Sequence, residues 1–194
     1  MSLNARMNSY RRDWMHEMLR REVRVMDTTI MATLQSGTAF FASTSLFAIG
    51  ASMALLQSTA DAIRVFDDLP FTDAPTPAEF ELKVIGLAII FIYAFFKFGW
   101  SYRLFNYAAI LMGAMPPSAH AHEPGAIAAA NRAADMNTAA ALHFNRGQRA
   151  FFFALAYLGW FLSPYIFIGT TLAAFGVMWR RQFQSDAVVA LNRP

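Results

Sequence analysis

Residues 82–113 read LKVIGLAIIFIYAFFKFGWSYRLFNYAAILMG. The stretch begins as a membrane-spanning helix: from Val84 to Phe96 it holds no charge, and a span needs about 20 mainly apolar residues to cross a hydrocarbon core of about 30 Å. It then places Lys97, Ser101, Arg103 and Asn106 where lipid demands apolar side chains. At about 1.5 Å per residue, Lys97 lies about 20 Å along the helix. A lysine at that depth snorkels to the nearer interface or pairs inside a bundle. The other apolar segments read as walls for this one.

The composition agrees. Hydrophobic residues make up 56% of the 194 and charged ones 15%, well under the roughly 25% charged of a soluble domain. The absence of cysteine excludes disulfides, thiolate catalysis and cysteine-held metals. The basic, polar start MSLNARMNSYRRDW lacks the apolar core of a cleavable signal.

Working outward, Thr28 to Ala60 is free of charge and predicts a first span over 28–56. Gln35, Ser36, Thr38, Ser43, Thr44 and Ser45 make it polar for its place, and hydroxyls bonded back to their own helix account for most of them. Small residues four apart, at Ala39/Ser43 and Gly50/Ala54, mark a close-packing edge. The central stretch gives a second span over 84–106. Ala150 to Trp179 gives a third, kinked at Pro164, with Ser163 beside it to satisfy freed backbone groups. Gly169, Ala173 and Gly176 form a second small-residue edge.

Between these lie polar connections. Tyr10 to Met26 predicts an amphipathic helix with Trp14, Met15, Met18 and Leu19 on one face and Arg12, His16 and Arg20 opposite, suited to a membrane surface or to the protein's own core. Glu17 stands four before Arg21, as in a helix-face ion pair. Asp61 to Lys83 reads as an acidic loop broken by Pro70, Pro75 and Pro77, with a helix starting at Pro77. The linker MPPSAHAHEP contains His120 and His122; a metal site needs more ligands in fixed geometry, so it reads as a solvated loop. Gly125 to Asn145 predicts an Ala-rich cytoplasmic helix.

The fold class is thus all-α, an integral membrane bundle of about three long spans with an N-terminal amphipathic helix. Its parts are a basic segment 1–27, a transmembrane domain 28–187 and a tail 188–194. The arginines at 6, 11, 12, 20, 21 and 24, against the acidic first loop, put the N-terminus and the 114–149 segment in the cytoplasm. Three spans then leave the C-terminus outside, in conflict with Arg180 and Arg181.

Counting depths along the helices groups Gln35, Lys97 and Tyr157 in one polar layer, with Asp27, Arg103, Asn106, Asn145 and Arg149 nearer the interface. Asp27 is the one acid at the right height to compensate Lys97 or Arg103. Structural roles account for each of these, through snorkelling and lipid phosphates; a site for an anionic solute or lipid headgroup is the alternative.

The blocks RRDWMHEMLRREVRVMDTTI, AFFASTSLFAIGA, ELKVIGLAIIFIYAFFKFGWSYRLFNYAAILMGAMP, FNRGQRAFFFALAYLGWFLSP and WRRQFQSDA resemble the uncharacterised membrane-protein family called domain of unknown function five-nine-nine, from about Arg12 to Ala187. The resemblance implies a multi-pass helical protein of the bacterial inner membrane with no established activity. Its motif positions would include Trp14, Arg24, Asp27, Lys97, Trp100, Arg103, Asn106, Asn145, Gly147, Arg149 and Trp160. Family members usually carry a further apolar helix before the segment resembling SLNARM, which implies four spans there against three here.

Function is expected to be non-enzymatic: an accessory, scaffold or assembly subunit in contact with membrane lipids, within a homo-oligomer or larger membrane complex. No cofactor, metal or nucleic-acid partner is implied. A small oligomeric transporter using Lys97 and Arg103 is the runner-up, although no inverted repeat supports it. A lipid-acting enzyme would have to rest on Asp27 with His143.

Overall fold

The structure, a computed structural model, describes residues 2–67 and 75–191. It is all-α, with no strand among the described residues. In chain order the helices are α1 (Leu3–Leu19), α2 (Val25–Gln57), α3 (Thr59–Asp67), α4 (Pro77–Gly113), a 3-10 turn (Ser118–His120), α5 (Pro124–Tyr157), α6 (Gly159–Leu162), α7 (Pro164–Phe183) and α8 (Asp186–Ala190). Two of them, α2 and α4, are long and apolar enough to cross a membrane. Of their most apolar 18 residues only 11% and 33% are buried in the protein. Phe47 is 79% exposed and Phe96 67%, so these helices are not the hidden core of a water-soluble bundle.

Local chemistry sets the ends. Pro77 opens α4 as the sequence indicates. Behind it stands a reciprocal cap: Thr76 N and Oγ1 donate to the Glu79 carboxylate at 2.8 and 2.9 Å, and Glu79 N donates to Thr76 Oγ1 at 3.3 Å. These bonds hold the exposed Glu79 carboxyl below its ordinary pKa, the bond from the Thr76 backbone leading. The expected acidic loop is shorter than predicted, because Thr59–Asp67 is helical; Asp68, Pro70 and Asp73 lie outside the described residues. The amphipathic N-terminal helix is also displaced. It starts at Leu3 under a Ser2 cap and ends at Leu19, so Val25 and Met26 begin α2, exposed. Arg20 to Arg24 concentrates like charge and a β-branched valine where a helix would have to continue.

The chain forms two compact units, Met1–Phe40 with Lys97–Asn145 and Trp179–Pro194, and Phe41–Phe96 with Arg146–Met178. In the first, Met15, Met18 and Leu19 of α1 pack with Leu104, Phe105 and Met112 of α4 and a row of alanines on α5 (Ala126, Ala130, Ala133, Ala134, Ala140). Those alanines fall at spacings that place them along one side of the helix, so α5 offers a smooth face and neighbours approach closely. The fully buried Ser101 hydroxyl then reaches across to donate to Ala140 O at 2.8 Å. The N-terminal helix packs on its own core, and its polar face docks as well: Arg12 pairs with Asp135 at 2.9 Å and His16 bonds Asn131.

The second unit explains the phenylalanine content. Leu87, Phe91 and Ala154 form a small core with Phe151, Phe161 and Tyr157 against it. The rings meet edge-on, Phe91–Phe151 at 5.4 Å and Phe80–Phe161 at 5.7 Å, the arrangement the ring quadrupole favours. Along α2 the hydroxyls of Thr38, Ser45 and Ser52 bond back to the carbonyl four residues earlier, as expected. They are seven residues apart and all buried. The glycines of the close-packing edges read from sequence meet no neighbour: at Gly50, Gly169 and Gly176 an added Cβ would stand in open space.

The third predicted span is corrected. Nothing between Asn145 and Arg149 stops a helix, since Gly147 alone costs only about 1 kcal/mol, so the Ala-rich helix and the first part of that span are one element, α5. Pro164 does not kink a continuous helix; it starts α7 at its first position. Ser163, extended at φ −165°, caps that helix by accepting from Tyr165 N at 3.1 Å. The chain then doubles back. Thr170 Oγ1 donates to Ala156 O at 2.7 Å, two residues that one span would hold about 21 Å apart. A Cβ on Gly159 would stand 2.7 Å from Thr170 Oγ1. The ends agree, for Arg6 donates to Leu191 O at 3.2 Å within the first unit. Leu191, the last described residue, which the three-span reading sets across the membrane from the N-terminal helix, therefore lies beside Arg6.

Gly159→Val should destabilise the hairpin by about 1–3 kcal/mol, the usual cost of overpacking. Gly169→Ala, in open space, should stay within about 0.5 kcal/mol. Thermal unfolding in detergent measures both.

Candidate functional site

Asp27 lies in the first turn of α2, where the helix dipole favours a carboxylate. It is fully buried, so its charge must be met by neighbours. Oδ1 accepts from the Trp14 indole nitrogen at 2.7 Å and from the Arg21 guanidinium at 2.6 Å. The break between α1 and α2 makes this possible, because a continuous helix would carry Arg21 round to Glu17. Glu17 pairs instead with Arg20 at 3.3 Å. Oδ2 is buried with no partner among the described residues. Arg24 donates to the carbonyls of Met115 and Pro116 at 3.2 and 2.6 Å, tying the head of α2 to the chain after α4.

About two turns further along α2, Gln35 Nε2 donates to Asn106 Oδ1 at 2.7 Å. Between these polar groups a cavity of about 360 Å³ opens. Asp27, Gln35 and Arg24 line it together with Met18, Met31 and Met112. Its walls are mostly thioethers, and its polar side chains are one carboxylate, one amide, one guanidinium and the Thr28 hydroxyl, which donates to Val25 O at 2.8 Å.

Of the eight residues grouped by sequence, six belong to the first unit and two, Arg149 and Tyr157, to the second. The structure joins Gln35 to Asn106, which depth counting set in different layers. The helices run past the assumed span ends: α4 continues seven residues beyond Asn106, about 10 Å. Asp27 compensates Arg21 and neither Lys97 nor Arg103. Arg103 is exposed and donates to Tyr107 Oη at 2.6 Å, its guanidinium 5.5 Å from that ring. Lys97 is half-buried on α4. Asn145 is half-buried and Arg149 exposed on α5. Tyr157 belongs to the other unit, its hydroxyl over Gly86. The Asp27–His143 pair does not form; His143 faces the Trp100 ring edge-on at 6.4 Å.

A family model described as "Protein of unknown function, DUF599" matches residues 1–187. The chain belongs to the DUF599 family. No curated protein and no solved structure matches it. Of the positions the resemblance singled out, Trp14 and Asp27 meet directly in this DUF599 protein, Arg24 lines the same cavity and Asn106 holds its Gln35 wall. Reading the residues alone missed Arg21. The signal was present: an acid at the head of a charge-free run needs a cation, and arginines stand three and six residues before it.

Gln35→Leu should destabilise by about 1–3 kcal/mol, because the Asn106 amide loses its partner in a dry place. Adding Asn106→Leu should restore much of the loss. A double-mutant cycle by thermal unfolding reads the coupling. Arg21→Met should cost about 3–5 kcal/mol by stranding the buried carboxylate, and Trp14→Phe about 1.5–3 kcal/mol as a bond to a charged group.

Proposed function

We propose that this DUF599 protein is a non-catalytic subunit of a bacterial inner membrane, crossing it with α2 and α4 and serving assembly or scaffolding. The observation that carries this reading is the exposure of lipid-length apolar helices. They expose Phe40, Phe47, Ile89 and Phe96, side chains that water disfavours and acyl chains accept. The open glycines at 50, 169 and 176 support association with a second copy or a larger complex, since small residues let backbones approach and dispersion then replaces lipid contacts.

The folded-back segment supports an orientation. Residues 150–162 and 164–178 enter the membrane and return, so both termini lie in the cytoplasm. The arginines at 6, 11, 12, 20, 21 and 24 are then joined by Arg180 and Arg181 on one side, as the positive-inside rule favours. The conflict raised by three spans disappears.

The absence of native cysteine makes single-cysteine labelling clean. Ser9→Cys and Gln184→Cys should react with an impermeant maleimide only after the inner membrane is permeabilised, whereas Ala60→Cys should react in spheroplasts. Labelling of Gln184→Cys but not Ser9→Cys in spheroplasts would overturn the orientation, and release of the protein by alkaline carbonate would overturn the membrane reading. Mass determination in mild detergent should give a multiple of 21.7 kDa or a larger complex; a monomer alone would overturn the assembly role.

A further inference from the structure

We infer that the cavity beside Asp27 binds a phospholipid by its head, through a phosphodiester on Arg24 and an O–H or N–H donor on Asp27. The inference rests on the reading of α2 as membrane-inserted, which sets the cavity where that helix begins.

Two unmet valences point the same way. Arg24 is held by two carbonyl oxygens and pairs with no carboxylate among the described residues, so its positive charge has no counterion there. Asp27, fully buried and lining the same cavity, uses Oδ1 for Trp14 and Arg21 and leaves Oδ2 without a partner. Arg21 already neutralises that carboxylate at 2.6 Å, so the two arginines and one aspartate sum to one positive charge. A singly negative phosphodiester meets that charge, and a hydroxyl or ammonium on its head supplies the missing donor. An anion without a proton, such as sulfate or chloride, would leave Oδ2 unmet. Besides Thr28, Gln35 and Gly113, the lining includes Met18, Met31, Met112 and Ala109, and flexible thioethers accommodate the start of an acyl chain. An anionic head with hydroxyls, as in phosphatidylglycerol, fits best; phosphatidylethanolamine offers a donor without net charge; phosphatidylcholine has an ammonium with no N–H and fits worst.

The test is native mass spectrometry of the purified full chain in mild detergent. Phosphatidylglycerol, phosphatidylethanolamine or phosphatidylcholine of identical acyl chains is added in turn. Binding should fall in that order, with at least a tenfold preference for phosphatidylglycerol over phosphatidylcholine. Ala109→Leu fills the cavity without touching the Asp27 bonds and should remove that preference. Arg24→Gln should weaken phosphatidylglycerol more than phosphatidylethanolamine. Equal binding of phosphatidylglycerol and phosphatidylcholine, or a preference untouched by Ala109→Leu, would overturn the inference. Millimolar glycerol 3-phosphate separates the two sources of the chemistry: failure to displace the lipid supports a lipid site, and full displacement overturns it in favour of a soluble phosphoester. A protein that stays carbonate-resistant yet shows no preference loses this inference alone. A protein released by carbonate loses the membrane reading with it.

Discussion

A carboxylate removed from water at the head of an apolar helix is the constraint on which the first unit depends. Isolated, an ionised Asp27 would cost many kcal/mol. Its cost is met by the Arg21 guanidinium, the Trp14 indole and the dipole of α2, and each imposes geometry. The chain must break after Leu19 so that Arg21 can return. Trp14 must sit one turn before the end of α1, and that packs Met15 and Met18 into the core. Arg24, three residues before Asp27, then faces the carbonyls that follow α4. A pair of this kind adds little net stability over an apolar replacement but penalises every arrangement that separates its members. Its effect is to specify one docking of α1.

The other unit is organised differently. Its polar groups turn inward upon their own helices, as with Ser45 and Ser52, and cohesion comes from edge-on phenylalanines and from close approach of side chains at Gly86 and Gly159. In the membrane reading proposed above, the surroundings are as apolar as the interior, and packing and satisfied hydrogen bonds replace the hydrophobic effect as the source of cohesion. The contrast with Asp27 and its arginines explains why one short chain reads both as a polar cluster and as a lipid-facing bundle.

Much of the architecture was legible in residues 28–60 and 82–113, because long charge-free runs admit few alternatives. The helix start at Pro77 and the back-bonded hydroxyls of α2 were equally readable, since both are local. What escaped is long-range. Pro164 is compatible with a kink and with a helix start, and only the return of Thr170 to Ala156 decides between them. Depth counting placed Gln35 and Asn106 apart because it assumed where each helix meets the interface. The buried acid was seen, but its partner was sought on the far helix when it stood six residues upstream, across a break that residue patterns mark poorly.

The three thioethers around the cavity carry a consequence of their own. Oxidation of Met18, Met31 or Met112 to the sulfoxide would replace a pliant apolar wall by a polar, chiral S=O. Such an oxygen would stand among groups that already include an unmet carboxylate oxygen, and two acceptors facing one another repel. Oxidant damage at this place would therefore loosen the seat of the N-terminal helix, while the phenylalanine packing around Phe91 and Phe151 contains no sulfur to oxidise.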